Sequence, residues 1–125
     1  MGLKEQLLHK IKENTVKVGV IGLGYVGLPL AVAFAKTGIA TLGFDTNSRK
    51  VESIERGENY IKDIKDEELK KVVAKKLLSA TDDVRRISEC DAIIICVPTP
   101  LDKFKKPDMG YIKMACIDTA RNMKL

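Results

Sequence analysis

The sequence predicts an α/β fold in which a parallel sheet carries helices on both faces, preceded by a short amphipathic helix. Three observations carry this. Short continuous apolar runs alternate with segments of helical periodicity. The first run, Val16 to Ile21, ends abruptly in a glycine cluster that opens a helix. The second, Ile39 to Phe44, closes on an acidic residue, Asp45. With 125 residues, 45% of them hydrophobic, the chain is long enough for one domain with a core and too short for two.

Residues 1–14 form the leading segment, where Leu3, Leu7, Leu8 and Ile11 share one face and Lys and Glu fill the rest. Residues 15–125 make the domain proper. Val16 to Ile21 is β-branched and apolar apart from Lys17 and Gly19, as a strand buried on both faces would be. From Leu28 to Lys36, the residues Leu30, Ala31, Phe34 and Ala35 recur at helical spacing, and Gly38 supplies the stop. Ile39 to Phe44 is the second strand, and Ser48 to Arg56 a helix with Val51 and Ile54 inward. Asn59 to Ile64 reads as a loop.

Asp66 to Leu78 reads as a further helix, with Leu69, Val72, Val73, Leu77 and Leu78 toward a core and the charges solvated. A brief strand over Ser79 to Thr81 and a short helix from Asp83 to Glu89 lead into Ala92 to Val97, another apolar strand. Pro98 and Pro100 end that strand, because neither can donate to a sheet ladder. Tyr111 to Met123 reads as the last helix. The order β-α-β-α implies right-handed crossovers and the first half of a Rossmann-type fold plus one further strand. The last helix should lead to another strand and none follows. The chain therefore reads as truncated after the first half, with the edge of the Ala92 to Val97 strand open to a partner or a second copy.

Gly22-Leu23-Gly24-Tyr25-Val26-Gly27 has the G-x-G-x-x-G spacing, directly after a strand and at the start of a helix. In that setting Gly22 makes the tight turn, Gly24 admits a pyrophosphate close to the backbone, and Gly27 lets the helix pack on the strand. The helix start offers unpaired N–H groups and partial positive charge to phosphates. Asp45 stands about twenty residues on, at the position from which a carboxylate meets the adenosine ribose. Its charge repels a 2′-phosphate, so NAD is expected over NADP, although Arg49 and Lys50 lie close by. The alternative for Asp45 is a helix N-cap, a role that Asn47 or Ser48 can also fill. Val97-Pro98-Thr99-Pro100 leaves the carboxyl end of its strand, the edge where open α/β sheets bind ligands, and Thr99 can hydrogen-bond cofactor ribose or phosphates.

Other classes fit poorly. Lys and Arg outnumber Asp and Glu by 22 to 17, but the excess is spread over several helices. Lysine pairs such as Lys70-Lys71 lack the interleaved aromatics of single-strand binders, so no nucleic-acid partner is expected. No stretch has the length of a membrane span, and the start of the chain lacks an apolar signal core. Cys90, Cys96 and Cys116 have neither zinc spacing nor an even count, which suits a reducing, cytoplasmic setting. Cys96 reads as a buried small hydrophobe and His9 as a surface residue. No general base or nucleophile stands out, so no catalytic or metal-binding residue is assigned.

Three strings together resemble the UDP-glucose and GDP-mannose dehydrogenase family, in particular the branch that oxidises UDP-N-acetylhexosamines at C6. They are Val20-Ile21-Gly22-Leu23-Gly24-Tyr25-Val26-Gly27-Leu28-Pro29, Gly43-Phe44-Asp45, and Cys96-Val97-Pro98-Thr99-Pro100-Leu101 followed by Pro107-Asp108. The resemblance spans nearly the whole chain from Val16. It implies main-chain contacts from Tyr25 and Val26 to the pyrophosphate, a ribose held by Asp45 and Lys50, and Val97, Pro98 and Thr99 lining the cofactor site.

Members of that family oxidise a sugar alcohol to a carboxylate in two steps, with two NAD and a cysteine that forms a thioester. That cysteine and its lysine, asparagine and aspartate partners belong to later parts of a much longer chain and have no matching positions here. By this likeness the chain alone binds NAD without turnover, and a UDP-sugar requires the missing domains. Two alternatives stay open at this point. One is a stand-alone binding or regulatory module using the sheet edge or the leading helix. The other is a fragment of a different dehydrogenase, such as a β-hydroxyacid type, against which the Tyr-Val pair and the Pro-Thr-Pro turn argue.

Overall fold

The computed structural model describes residues 2–123. Its elements run α1 (Leu3–Lys12), β1 (Lys17–Ile21), α2 (Gly27–Lys36), β2 (Ala40–Phe44), α3 (Ser48–Glu55), α4 (Asp66–Ala74), β3 (Leu78–Thr81), a 3₁₀ segment (Val84–Glu89), β4 (Ala92–Ile95) and α5 (Gly110–Asn122). The four strands form one parallel sheet in the order β3-β2-β1-β4. A parallel sheet needs cover on both faces, and its strands are correspondingly apolar throughout.

Two cores lie on opposite faces. On one, Val18 and Val20 of β1 and Leu78 of β3 pack with Leu28, Ala31 and Ala35 of α2, Ile54 of α3 and Leu69 of α4. On the other, Leu42 and Phe44 of β2 meet Ile87 and Cys90, with Val84, Ile93 and Met123 against them. The alternation of Leu42 and Gly43, then Phe44, on β2 follows from the period-two geometry of a strand. Helix α1 buries none of its residues, and Leu3, Leu7, Leu8 and Ile11 are all exposed. Its tie to the domain includes an ion pair between Lys10 and Asp91 at 2.8 Å.

Two expected boundaries move. The helix expected over Asp66 to Leu78 stops at Ala74, and Leu78 instead opens β3, paired with Thr41. Lys76 adopts a left-handed φ of 61°, the conformation that commonly closes a helix, and the Leu77 carbonyl accepts the Thr41 amide. An apolar Leu77-Leu78 pair satisfies either element, and the sheet claims it. The strand expected to reach Val97 ends at Ile95, because its partner β1 ends opposite it at Ile21 and Gly22 turns away. Among the described residues β4 has a neighbouring strand on one side only. No helix among them is long and apolar enough to cross a membrane.

Candidate functional site

The carboxyl ends of β1, β2 and β4 open into a cleft of about 590 Å³, within the range of small-molecule sites. Its first wall is the turn from β1 to α2. Gly22 has φ of +98°, and a Cβ there would lie 2.6 Å from the Cys96 carbonyl oxygen. A Cβ on Gly27 would lie 1.6 Å from the Gly22 carbonyl oxygen. These two glycines are explained by the protein's own packing. Gly24 is different: a Cβ there would meet nothing within 4 Å, so the protein's own packing does not require a glycine at this position.

Helix α2 begins without a side-chain cap, and the amides of Tyr25 and Val26 have no hydrogen-bond partner among the described residues. Both residues are exposed on the cleft. Such a helix start is a site for anions.

Beneath this turn, the peptide unit of Leu23 and its carbonyl are held by two distant side chains. Asp45 Oδ2 accepts the Leu23 amide at 2.9 Å, and the Tyr60 hydroxyl donates to the Leu23 carbonyl. The Leu23 side chain is fully buried in the first core. Burial, followed by the nearby Asp45 charge, raises the Tyr60 pKa far above its ordinary value, which keeps the phenol a donor. Lys50 reaches the same spot, its Nζ 5.9 Å from the Tyr60 ring centroid.

Asp45 Oδ1 also accepts the Asn47 amide at 2.8 Å. Asn47, and not Asp45, is the N-cap of α3, accepting from Arg49 and Lys50 amides. A carboxylate oxygen has two acceptor sites, so Asp45 can hold the loop and still accept from a ligand hydroxyl.

The structure brings Gly22, Gly24, Tyr25, Val26, Asp45, Lys50, Val97, Pro98 and Thr99 together on the cleft. Gly27 lies behind it, packed against Gly22. Cys96, expected as a buried hydrophobe, is half-buried: its amide still donates to the Ile21 carbonyl of β1 at 2.7 Å, it packs against the first core, and it also lines the cleft. His9 is exposed on α1. Sequence reasoning missed the opposite wall: Asp82 and Val84 after β3, and Tyr111, Met114, Ala115 and Asp118 of α5. The last four recur at i, i+3, i+4 and i+7, a spacing legible as one helix face but not as a cleft wall. Tyr60 was also missed, hidden in what read as a loop.

Phosphates suit the uncapped start of α2, and a sugar diol suits a carboxylate at the tip of the neighbouring strand. That combination defines a dinucleotide-binding domain of Rossmann type. More particularly, the chain belongs to the UDP-glucose/GDP-mannose dehydrogenase family, whose NAD binding domain matches residues 16–124. NAD is the cofactor of this domain.

The chain is 40% identical over 96 residues to UDP-N-acetyl-D-glucosamine 6-dehydrogenase of Salmonella typhi, a match covering 77% of this chain and 22% of that protein. The structure of a UDP-D-ManNAc dehydrogenase from Pyrococcus horikoshii superposes with a TM-score of 0.79 at 36% identity, over 86% of this chain and 26% of that one. That of an NDP-N-acetyl-D-galactosaminuronic acid dehydrogenase from Methanosarcina mazei Go1 gives 0.83 at 34% identity, over 99% and 28%. The chain spans about a quarter of the length of the curated relatives it matches.

Proposed function

We propose that the cleft holds NAD with its pyrophosphate on the amides of Tyr25 and Val26 and its adenosine ribose on Asp45, flanked by Lys50. Val97, Pro98 and Thr99 border the cofactor on the β4 side, and Gly22 and Gly27 set the turn. The observation that carries this reading is Gly24: its missing Cβ faces open space beside an uncapped helix start, where the protein's own packing does not require a glycine and a pyrophosphate has close access to the backbone.

The whole protein, on this reading, oxidises a UDP-N-acetylhexosamine to its uronate with two NAD. The support is that relatives of 36 to 40% identity carry names with N-acetylhexosamine substrates. Sugar binding and catalysis then rest on residues outside this chain, which alone binds cofactor without turnover. The open side of β4 supports pairing with another strand or a second copy, and three free thiols support a reducing, cytoplasmic setting.

The test is an amide NMR titration of the chain with NAD, alongside an assay for NADH with UDP-N-acetylglucosamine. Shifts centred on Gly24, Tyr25 and Val26 with no NADH are expected. Binding that leaves those amides unmoved, or appreciable turnover, contradicts the reading.

A further inference from the structure

We propose that Asp118 recognises the adenine base of NAD, accepting a hydrogen bond from its exocyclic amino group in the part of the cleft lined by Val84 and α5. The assignment rests on the NAD reading of the cleft. With the ribose on Asp45, the attached base must lie beside Asp45 on the side away from the pyrophosphate. The apolar lining of the cleft includes Phe44 of β2, Val84, and Met114 and Ala115 of α5. Helix α5 packs chiefly on the 3₁₀ segment that starts at Val84, so Val84 and the α5 residues stand on the same side of the cleft. Apolar walls suit the faces of a flat purine, and a few polar groups then fix its edge.

Asp118 is the charged member of the α5 stripe that lines the cleft, and the stripe's other polar side chain is the phenol of Tyr111. Asp118 is half-buried, and its carboxylate has no ion pair and no hydrogen bond among the described residues. The hydrogen bond from Asn122 goes to its main-chain oxygen. The carboxylate lines the cleft with its acceptor sites unused by the described residues. An ionised carboxylate only accepts, so the group that completes it must donate. The pyrophosphate is excluded by its charge, and the ribose hydroxyls are engaged by Asp45. The adenine amino group is the donor that remains on this side of the cofactor. Asp82 also lines the cleft, but it is exposed and keeps its water.

Replacing that amino group by an oxygen turns the donor into an acceptor facing a carboxylate. The experiment is therefore a calorimetric comparison of NAD with nicotinamide hypoxanthine dinucleotide, on the chain and on its Asp118→Asn and Asp118→Ala variants, with thermal melts to confirm folding. The chain should prefer NAD by about tenfold or more, the scale of one charge-assisted hydrogen bond. Both variants should bring the ratio close to one, chiefly by weakening NAD. Equal binding of the two dinucleotides by the unmodified chain, or a ratio unchanged in either folded variant, overturns the assignment while leaving the NAD site standing. Failure of the unmodified chain to bind either dinucleotide overturns the NAD reading and this assignment with it.

Discussion

Tyr60 donates its hydroxyl to the carbonyl of Leu23, 37 residues earlier in the chain, and so fastens the loop between α3 and α4 to the turn that opens the cleft. The amide of the same leucine is held by Asp45. The glycine turn thus has its flexible main chain pinned at one residue from both sides, with that residue's side chain sunk in the core. An ordered turn loses less entropy on binding.

Tyr60→Phe removes this one hydrogen bond and leaves the Leu23 carbonyl unpaired. The expected loss is about 1 kcal/mol of folding stability, with NAD affinity lowered several-fold. Thermal melts and titration on the same preparation check it. Unchanged affinity in a destabilised variant would confine Tyr60 to a role in folding.

Gly24→Ala and Gly27→Ala should fail in opposite ways. A methyl at position 24 meets no protein atom, so the fold should survive while NAD binding drops tenfold or more, a loss on the order of 1.4 kcal/mol. A methyl at position 27 collides with the Gly22 carbonyl, so that variant should melt lower by several degrees or fail to fold, as overpacking by about 1–3 kcal/mol implies. A Gly24→Ala variant that binds NAD normally would remove the main support for the phosphate site.

The two glycines also show how much was legible beforehand. A G-x-G-x-x-G spacing between an apolar run and a helical one specifies a strand, a turn and a helix, and Asp45 follows from the length of one βα unit. These features are local, so neighbours in sequence reveal them. The Tyr60 bond and the α5 wall join residues brought close by the sheet, and no spacing encodes them. Leu77 and Leu78 were ambiguous for another reason: two leucines fit a helix or a strand equally, and only pairing with Thr41 decides.

Acid should expose the ion cluster at the other end of the sheet. Glu89 accepts from Arg86 and Lys17, each at 2.8 Å, and these hold its pKa down at about 2. A depressed folded pKa gives stability that is present above the ordinary carboxylate value and lost as pH falls through about 2. Glu89→Gln should therefore be slightly less stable at neutral pH, since the pair is partly exposed, and should decline less below pH 4.5. Urea melts across that window test this, and parallel acid limbs would count against it.

Cys90 gives the alkaline counterpart. Burial, above all, pushes its thiol up to about 11. Stability from the neutral thiol is full below the ordinary value of 9.0 and is lost as pH rises through about 11. In the folded chain at pH 8, iodoacetamide should label exposed Cys116 and spare Cys90 until the chain unfolds. Mass spectrometry of the labelled peptides reads the order, and early labelling of Cys90 would contradict its place in the core.

The most direct test of the whole account is calorimetric titration of the chain with NAD and with NADP, repeated on Asp45→Ala. A carboxylate that accepts from the ribose and repels a 2′-phosphate should make NAD the tighter ligand by about tenfold or more, and its removal should weaken NAD and narrow that gap. Equal affinity for the two cofactors, or a preference that survives the loss of Asp45 in a folded variant, would contradict the placement of the ribose and the cleft's assignment to NAD.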